Sequence, residues 1–333
     1  MKQIVYLDYD VPIWRLFYNP KLMNNIPYEF IYDGKKYTNG ITIIQFAWNI
    51  EESWLKNGIY NFNCPNPIIC VPSQKLYDLV KKYYPKLNIV LAGHNAFINE
   101  NTFKIINIEK KYDLIVNSCW ADYKRLELTK KVENKIYIGY SQDDVQAHRN
   151  IPKDGYMPNF ENKERVMKNH KWIGKNKLVE YYNQSIAGGV FSKVEGSTFS
   201  SGEYLLCGIP VISTKCEGGR EHWYNKHNSV ICEDNKDDVV KSIEIVKNKI
   251  KNKEFNSEKI RNDHIAEMNI QRSNLTNKVI EIFTKITLNV PKYNKLFDDL
   301  KYYHSNSDTT CLEKNIEIKQ INRQKICNEI LKL

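Results

Sequence analysis

Short apolar runs alternate with polar breaks from the start of the chain. QIVYLDY (3–9), ITIIQFAW (41–48), NPIICV (66–71) and NIVLAG (88–93) have the length and the Val, Ile and aromatic content of strands. SQKLYDLVKKYYPKL (73–87), between the last two, has helical spacing, so the three together predict a β-α-β unit. From residue 111 the alternation is clearer. KYDLIVNS, KIYIGYS, GGVFSKV, IPVIST and SVIC predict strands. ADYKRLELTKKV (121–132), KNKLVEYYNQ (175–184), SSGEYLLCG (200–208) and KDDVVKSIEIVKNKI (236–250) predict the helices between and after them. The polar stretch from about 142 to 170 is expected to be irregular or only partly helical. Residues 257–283 predict a long amphipathic helix.

Strands alternating with helices at this spacing predict an α/β fold with doubly wound parallel sheets, in which ligands bind beyond the carboxyl ends of the strands. The loops after 112–118, 188–194 and 210–214 are therefore the places to look for chemistry. At 333 residues, two domains are expected. We divide the chain into an N-terminal domain (1–110), a C-terminal domain with a closing helix (111–283) and an extension (284–333).

Composition narrows the setting. The chain is 42% hydrophobic and 26% charged, enough apolar material for a sizeable core. No apolar run nears the roughly 18 residues of a membrane span. MKQIVYLDYD carries acids early and reads as a strand rather than an export signal, which predicts a cytoplasmic location (the host's cytoplasm for a viral chain). Eight cysteines are scattered with no C-x-x-C pair, as expected of reduced thiols rather than zinc ligands. The net charge of +10 permits nucleic acid, an anionic surface or a phosphorylated substrate as partner. The lysines are interleaved with acids, as in KNKEFNSEKIRND, so a general lysine bias is favoured over a nucleic-acid patch.

The chemistry concentrates in FSKVEGSTFSSGEYLLCGIPVISTKCEGGREHW, residues 191–223. Glu195 lies just past the carboxyl end of a strand. Ser197 and Thr198 supply hydroxyls and main-chain N–H groups. Ser200 and Ser201 are suitable N-caps, and a helix starting there points its positive end at the loop, where a diphosphate is stabilised. Glu203 is expected in the first turn, complementing that positive end and within reach of a ribose diol. Gly208 suits the left-handed stop after the helix, and Gly218–Gly219 a close-approach loop.

Glu195 and Glu203 with seven residues between them, followed by CGIPVIST and GG, resemble the E-x7-E signature of retaining GT-B glycosyltransferases, particularly glycosyltransferase family 4. IGKNKLVEYYNQS, before it, is similar to the family's segment leading to the first glutamate. The resemblance covers roughly residues 111–283. It implies a GT-B fold, two Rossmann-like domains facing across a cleft, and retaining transfer of a sugar from a nucleoside diphosphate sugar to a glycan or glycoconjugate hydroxyl.

By position, the resemblance implies that Glu195 contacts the donor sugar and Glu203 holds the ribose. The main-chain N–H groups of Ser197, Thr198 and Phe199 would face the diphosphate or sugar. The family's Arg and Lys that grip the diphosphate find their nearest match in Lys124 and Arg125, which stand closer together than the family's pair. His94, in IVLAGHNAFINEN, corresponds to a histidine that touches the donor sugar in some relatives. Gly219 and Arg220 would line the sugar site. Asp8–Tyr9–Asp10 is a D-x-D match placed too early for a metal site, so no metal and no cofactor are expected beyond the nucleotide-sugar co-substrate. Two other readings stay open: a glycosyltransferase acting on a nucleic-acid base, and a GT-B-derived protein that binds a nucleotide sugar without turning it over.

Overall fold

A computed structural model describes residues 3–6, 9–18, 30–32, 35–37, 39–46, 52–56, 64–119, 122–140, 166–168 and 173–302. Asp8, most of the 142–170 stretch and the chain beyond 302 lie outside the described residues. The first part of the chain carries β1 (Gln3–Tyr6), β2 (Ile13–Tyr18), the hairpin β3 (Phe30–Tyr32) and β4 (Lys35–Tyr37), and β5 (Ile41–Phe46). It continues through α1 (Glu52–Lys56), β6 (Pro67–Val71), α2 (Gln74–Tyr83) and β7 (Asn88–Leu91). The second part carries β8 (Tyr112–Cys119), β9 (Lys135–Tyr140), β10 (Val166–Lys168), α3 (Lys175–Asn183), β11 (Ser185–Val190) and α4 (Phe199–Leu206). Then follow β12 (Val211–Thr214), β13 (Ser229–Cys232), α5 (Lys236–Lys251), α6 (Ser257–Ile286) and α7 (Tyr293–Leu300).

Two larger sheets result. The first has the order β1-β2-β5-β6-β7, parallel except for β1, which pairs antiparallel with β2. The second, β10-β9-β8-β11-β12-β13, is parallel throughout. All six residues of β5 are buried, as expected of a central parallel strand covered on both faces. Its side chains divide with period two. Ile41 and Ile43 join the large core that runs into the second sheet, while Ile44 and Phe46 pack with Leu76 and Val80 of α2 on the other face.

The thirty-residue helix α6 joins the two sheets. It starts at a capped end, where the Asn256 side chain accepts the Lys259 N–H at 2.9 Å. From there it packs on α4 and then on β6, β7 and the turn at His94–Phe97. Met268, Leu275, Val279 and Phe283 are fully buried along it. Three arginines fasten this return. Arg261 donates to the carbonyls of Phe103 (2.6 Å), Glu100 (2.7 Å) and Leu206. Buried Arg272 pairs with Glu100 at 2.9 Å and bonds the Ile98 carbonyl at 3.0 Å. From the first sheet, buried Arg15 donates to the Leu300 carbonyl at 2.8 Å, holding α7 in place. Breaking such buried charges is costly, so these contacts fix how the chain returns to its first part.

The expected helix at 121–132 does not form. Two short 3-10 turns, Asp122–Lys124 and Leu126–Thr129, stand there instead, separated by Arg125 in the left-handed region (φ 50°, ψ 45°). Three hydrogen-bonded or ion-paired contacts made by the Arg125 side chain, described below, offset the local backbone cost. Sequence reading also passed over β2 and the β3–β4 hairpin. The strand at 166–168 falls within the stretch expected to be irregular.

Candidate functional site

The constellation stands at the carboxyl edge of the second sheet. Beyond β11 the chain makes a one-residue parallel bridge, Val194 to Glu217. The Glu195 N–H donates to the Glu217 carbonyl at 2.9 Å, and the Glu217 N–H to the Lys193 carbonyl at 2.8 Å. The loop after β12 thereby fixes the backbone of Glu195. Gly219 follows at φ +118°, and a Cβ there would lie 2.9 Å from the Cβ of Ser73, which caps α2. A residue without a side chain is what lets the loop of one sheet meet a loop of the other.

Glu195 is only 7% exposed. Its Oε1 accepts from Lys124 Nζ at 2.5 Å, and its Oε2 accepts from Ser192 Oγ and lies 3.5 Å from Arg220 Nη1. Burial pushes its carboxyl up, but Lys124, Ser192 and Arg220 together more than offset this and hold it below the usual carboxylate range. Glu195 is therefore an anion enclosed by cations.

Arg220 lies deeper than expected of a residue lining the sugar site, with no exposed surface at all. Nη1 donates to Ser192 Oγ at 2.7 Å, and Nη2 to Ser213 Oγ at 3.0 Å and to the Thr214 carbonyl at 3.2 Å. It forms the floor beneath Glu195.

Lys124 and Arg125 diverge. Lys124 points to Glu195, whereas Arg125 is spent on the protein. Its Nε donates to the Phe191 carbonyl and Nη2 to Thr214 Oγ1, both at 2.6 Å, and Nη1 pairs with Asp234 at 2.7 Å. Arg125 thus ties β11, β12 and the segment after β13 together.

Helix α4 begins at Phe199, with Thr198 as its N-cap residue and no side-chain cap bond. Ser200 and Ser201 therefore lie inside the first turn, where Ser201 Oγ donates to the Thr198 carbonyl at 2.9 Å. Glu203 falls in the second turn rather than the first, too far along to complement the helix start. The helix closes at Gly208 (φ +69°), where Ile209 N–H reaches the Tyr204 carbonyl and Gly208 N–H the Leu205 carbonyl. Glu203 Oε2 accepts from Tyr182 Oη at 2.5 Å, and Asn117 Nδ2 donates to the same Oη at 2.5 Å. Burial raises the Glu203 carboxyl to about 7, against the opposing effect of the Tyr182 hydroxyl.

The turn at His94–Phe97 faces α4 from the first sheet. The His94 N–H donates to Ser197 Oγ at 3.2 Å, and Asn95 Nδ2 to Ser201 Oγ at 3.3 Å. The His94 ring packs 5.4 Å from that of Phe199, whose side chain is 43% exposed. Burial keeps the imidazole neutral, down to about 3, with Arg15 adding to the effect and the Gln45 main chain opposing it. Thr198 Oγ1, buried beside Ser197, has no partner among the described residues.

Of the D-x-D match, Tyr9 donates to Asp299 and Asp10 accepts from Thr287 at 3.0 Å, both contacts with the C-terminal segment. Among the described residues no group of three or more His, Cys, Asp or Glu is arranged to hold a metal, and no helix is long and apolar enough to cross a membrane.

Two parallel-stranded α/β units with facing loops, joined by a helix that returns from the second to the first, are matched in solved structures. Sucrose-phosphate synthase from Thermosynechococcus elongatus aligns with a TM-score of 0.52 at 13% identity, over 78% of this chain and 68% of that one. Anabaena HepE in complex with UDP-glucose aligns at 0.50 and 12% identity, over 74% and 73%. The fold is GT-B. An S. aureus TarM variant in complex with fondaparinux, α-GlcNAc-glycerol and UDP has the same GT-B arrangement, at a TM-score of 0.50 and 16% identity over 72% of this chain. The chain spans little more than half of TarM's length, 55%. No protein-family model and no curated protein sequence matches it.

Sequence reading placed Glu195, Ser197, Thr198, Phe199, Glu203, Gly219 and Arg220 on one GT-B sheet edge and its adjoining helix, and His94 opposite them. It missed Ser192, Tyr182 and Asn117. Ser192 lies three residues before Glu195, but no spacing rule marks a serine there as its partner.

Proposed function

We propose that the chain is a retaining glycosyltransferase that moves a sugar from a nucleoside diphosphate sugar to a hydroxyl of a glycan or glycoconjugate. The observation carrying this reading is Glu195, a buried carboxylate held ionised by Lys124 and Arg220 at the carboxyl edge of the parallel donor sheet. An anion fixed there stabilises positive charge developing at an anomeric carbon. The complexes of HepE with UDP-glucose and of TarM with UDP support a nucleotide sugar as the donor class.

In this reading the bond from the anomeric carbon to the diphosphate oxygen breaks, and its electron pair leaves with the diphosphate. Lys124 and the main-chain N–H groups of Ser197, Thr198 and Phe199 at the start of α4 receive the growing negative charge. The acceptor oxygen bonds to the same face of the sugar, and its proton passes to the departing phosphate oxygen. Glu203 holds the ribose, and Gly219 lets the loop close over the sugar. His94, kept neutral, serves as a contact for the donor rather than as a proton donor. No metal or cofactor enters the scheme.

The test is transfer from α-linked nucleotide sugars to a panel of glycan acceptors, with the product's anomeric configuration read by proton NMR. An α-linked product supports the reading; a β-linked product contradicts retention. Release of a new nucleotide sugar without acceptor would point instead to an epimerase.

A further inference from the structure

Two cations hold Glu195, and they differ in freedom. Lys124 ends a short 3-10 turn and is itself buried at 9% exposure, while Arg220 has no exposed surface and is bonded to three other groups. A diphosphate arriving at the start of α4 competes for the ammonium of Lys124, because a flexible lysine can change partner. Arg220 has no such exit. Its guanidinium is held by Ser192, Ser213 and the Thr214 carbonyl, and Ser192 passes that geometry on by donating to Glu195 Oε2.

We infer that Arg220 is a positioning residue, supplying through itself and Ser192 the fixed positive charge that Glu195 keeps when Lys124 turns to the donor. The inference rests on the glycosyl-transfer reading for its purpose, but its physical content is a property of the protein alone. With Lys124 removed, Arg220 and Ser192 still face Oε2. With Arg220 also removed, Glu195 is left in a nearly dry site without a cation, and its charged form is disfavoured.

The experiment is a carbon-13 carboxyl titration of glutamate-labelled protein, with the Glu195 resonance assigned by its loss in Glu195→Gln. Lys124→Met imitates the lysine's departure without any ligand. Glu195 in Lys124→Met is expected to titrate above its wild-type midpoint, because the lysine no longer opposes burial, yet below its midpoint in the double variant with Arg220→Met. In Lys124→Met combined with Arg220→Met it is expected well above 4.5. Equal midpoints in the single and double variants would overturn the inference. Should Arg220→Met fail to fold, Lys124→Met with Ser192→Ala is the second comparison. There the midpoint is expected above that of Lys124→Met alone, and a midpoint no higher overturns the relay through Ser192.

A kinetic arm uses UDP-glucose as probe. Arg220→Met is expected to lower kcat about tenfold or more while the donor KM changes less than about threefold, since the residue acts on the transition state through Glu195. Arg220→Lys is expected to recover part of the lost kcat, and equal loss in both variants would indicate a packing role and count against the inference. Absence of turnover by wild type counts against the glycosyl-transfer reading for this donor, while the titration alone then decides the inference.

Discussion

Gln271, on the returning helix α6, accepts the main-chain N–H of Gly93 at 2.8 Å, one residue before His94. Its Nε2 lies 3.0 Å from His222 Nε2 and 2.9 Å from Glu267 Oε1. One fully buried amide thus links the loop after β7, the turn that carries Arg220, and the helix that binds the two parts of the chain.

Replacing Gln271 with Ala strands the Gly93 N–H in a dry place, which costs about 1–3 kcal/mol. Urea denaturation should show a lower midpoint with an unchanged slope. A stability equal to wild type would mean that the link contributes nothing.

His94 and His264 are buried and neutral, both held down to about 3 by desolvation. His264 packs on Trp223, with Arg261, Arg272 and Glu267 as its charged surroundings. Unfolded, each histidine titrates near 6.5. Between that value and about 3 the unfolded chain binds more protons, so stability falls as pH drops through this window. The slope is about 1.4 kcal/mol per pH unit for each histidine. Denaturation at pH 7, 6 and 5 checks this, and His264→Leu should reduce the slope by roughly one proton.

Glu203 behaves in the opposite sense. Its folded carboxyl, at about 7, holds a proton that the unfolded chain, at 4.5, has released. Stability from this group is present below 4.5 and is lost as pH rises towards 7. Glu203→Gln keeps the shape without the charge, so its melting temperature should gain on wild type from pH 5 to about pH 7 and level off above that. A constant difference across that range would show that Glu203 is not shifted.

Lys124 and Arg125 should separate in experiment. Arg125→Ala loses its contacts to Phe191, Thr214 and Asp234 and is expected to cost about 1.5–3 kcal/mol of stability. Lys124→Ala should chiefly weaken nucleotide-sugar binding. Thermal melts with and without nucleotide sugar distinguish the two. Equal loss of ligand-induced stabilisation in both would return Arg125 to the diphosphate.

Apart from β10, the second sheet was legible because its strands centre on short apolar runs bounded by Gly, Pro and charged residues, as at Pro210 before Val211–Thr214. The strand at Ile13–Tyr18 was not, because Arg15 interrupts its apolar run. That charge is balanced by Gln45 and by the Leu300 carbonyl, the latter 285 residues away in the chain, a contact no local pattern shows. The failed helix at 121–132 has the same origin, since distant partners hold Arg125 in a left-handed conformation that helical spacing does not foresee. At the site, the motif identified which residues gather at the sheet edge. Depth was illegible: neither the burial of Arg220 beneath Glu195 nor the Tyr182 contact of Glu203 follows from spacing.

The most direct measurement is calorimetric titration of wild type, Glu195→Ala and Glu203→Ala with UDP-, GDP-, ADP- and dTDP-sugars. Wild type is expected to bind one of them without added metal, Glu203→Ala to bind it at least about tenfold more weakly, a loss of about 1.4 kcal/mol, and Glu195→Ala to bind it but turn it over poorly. Well-folded wild type that binds none of the four, or a Glu203→Ala variant with wild-type affinity, would contradict the assignment of this sheet edge as a donor site.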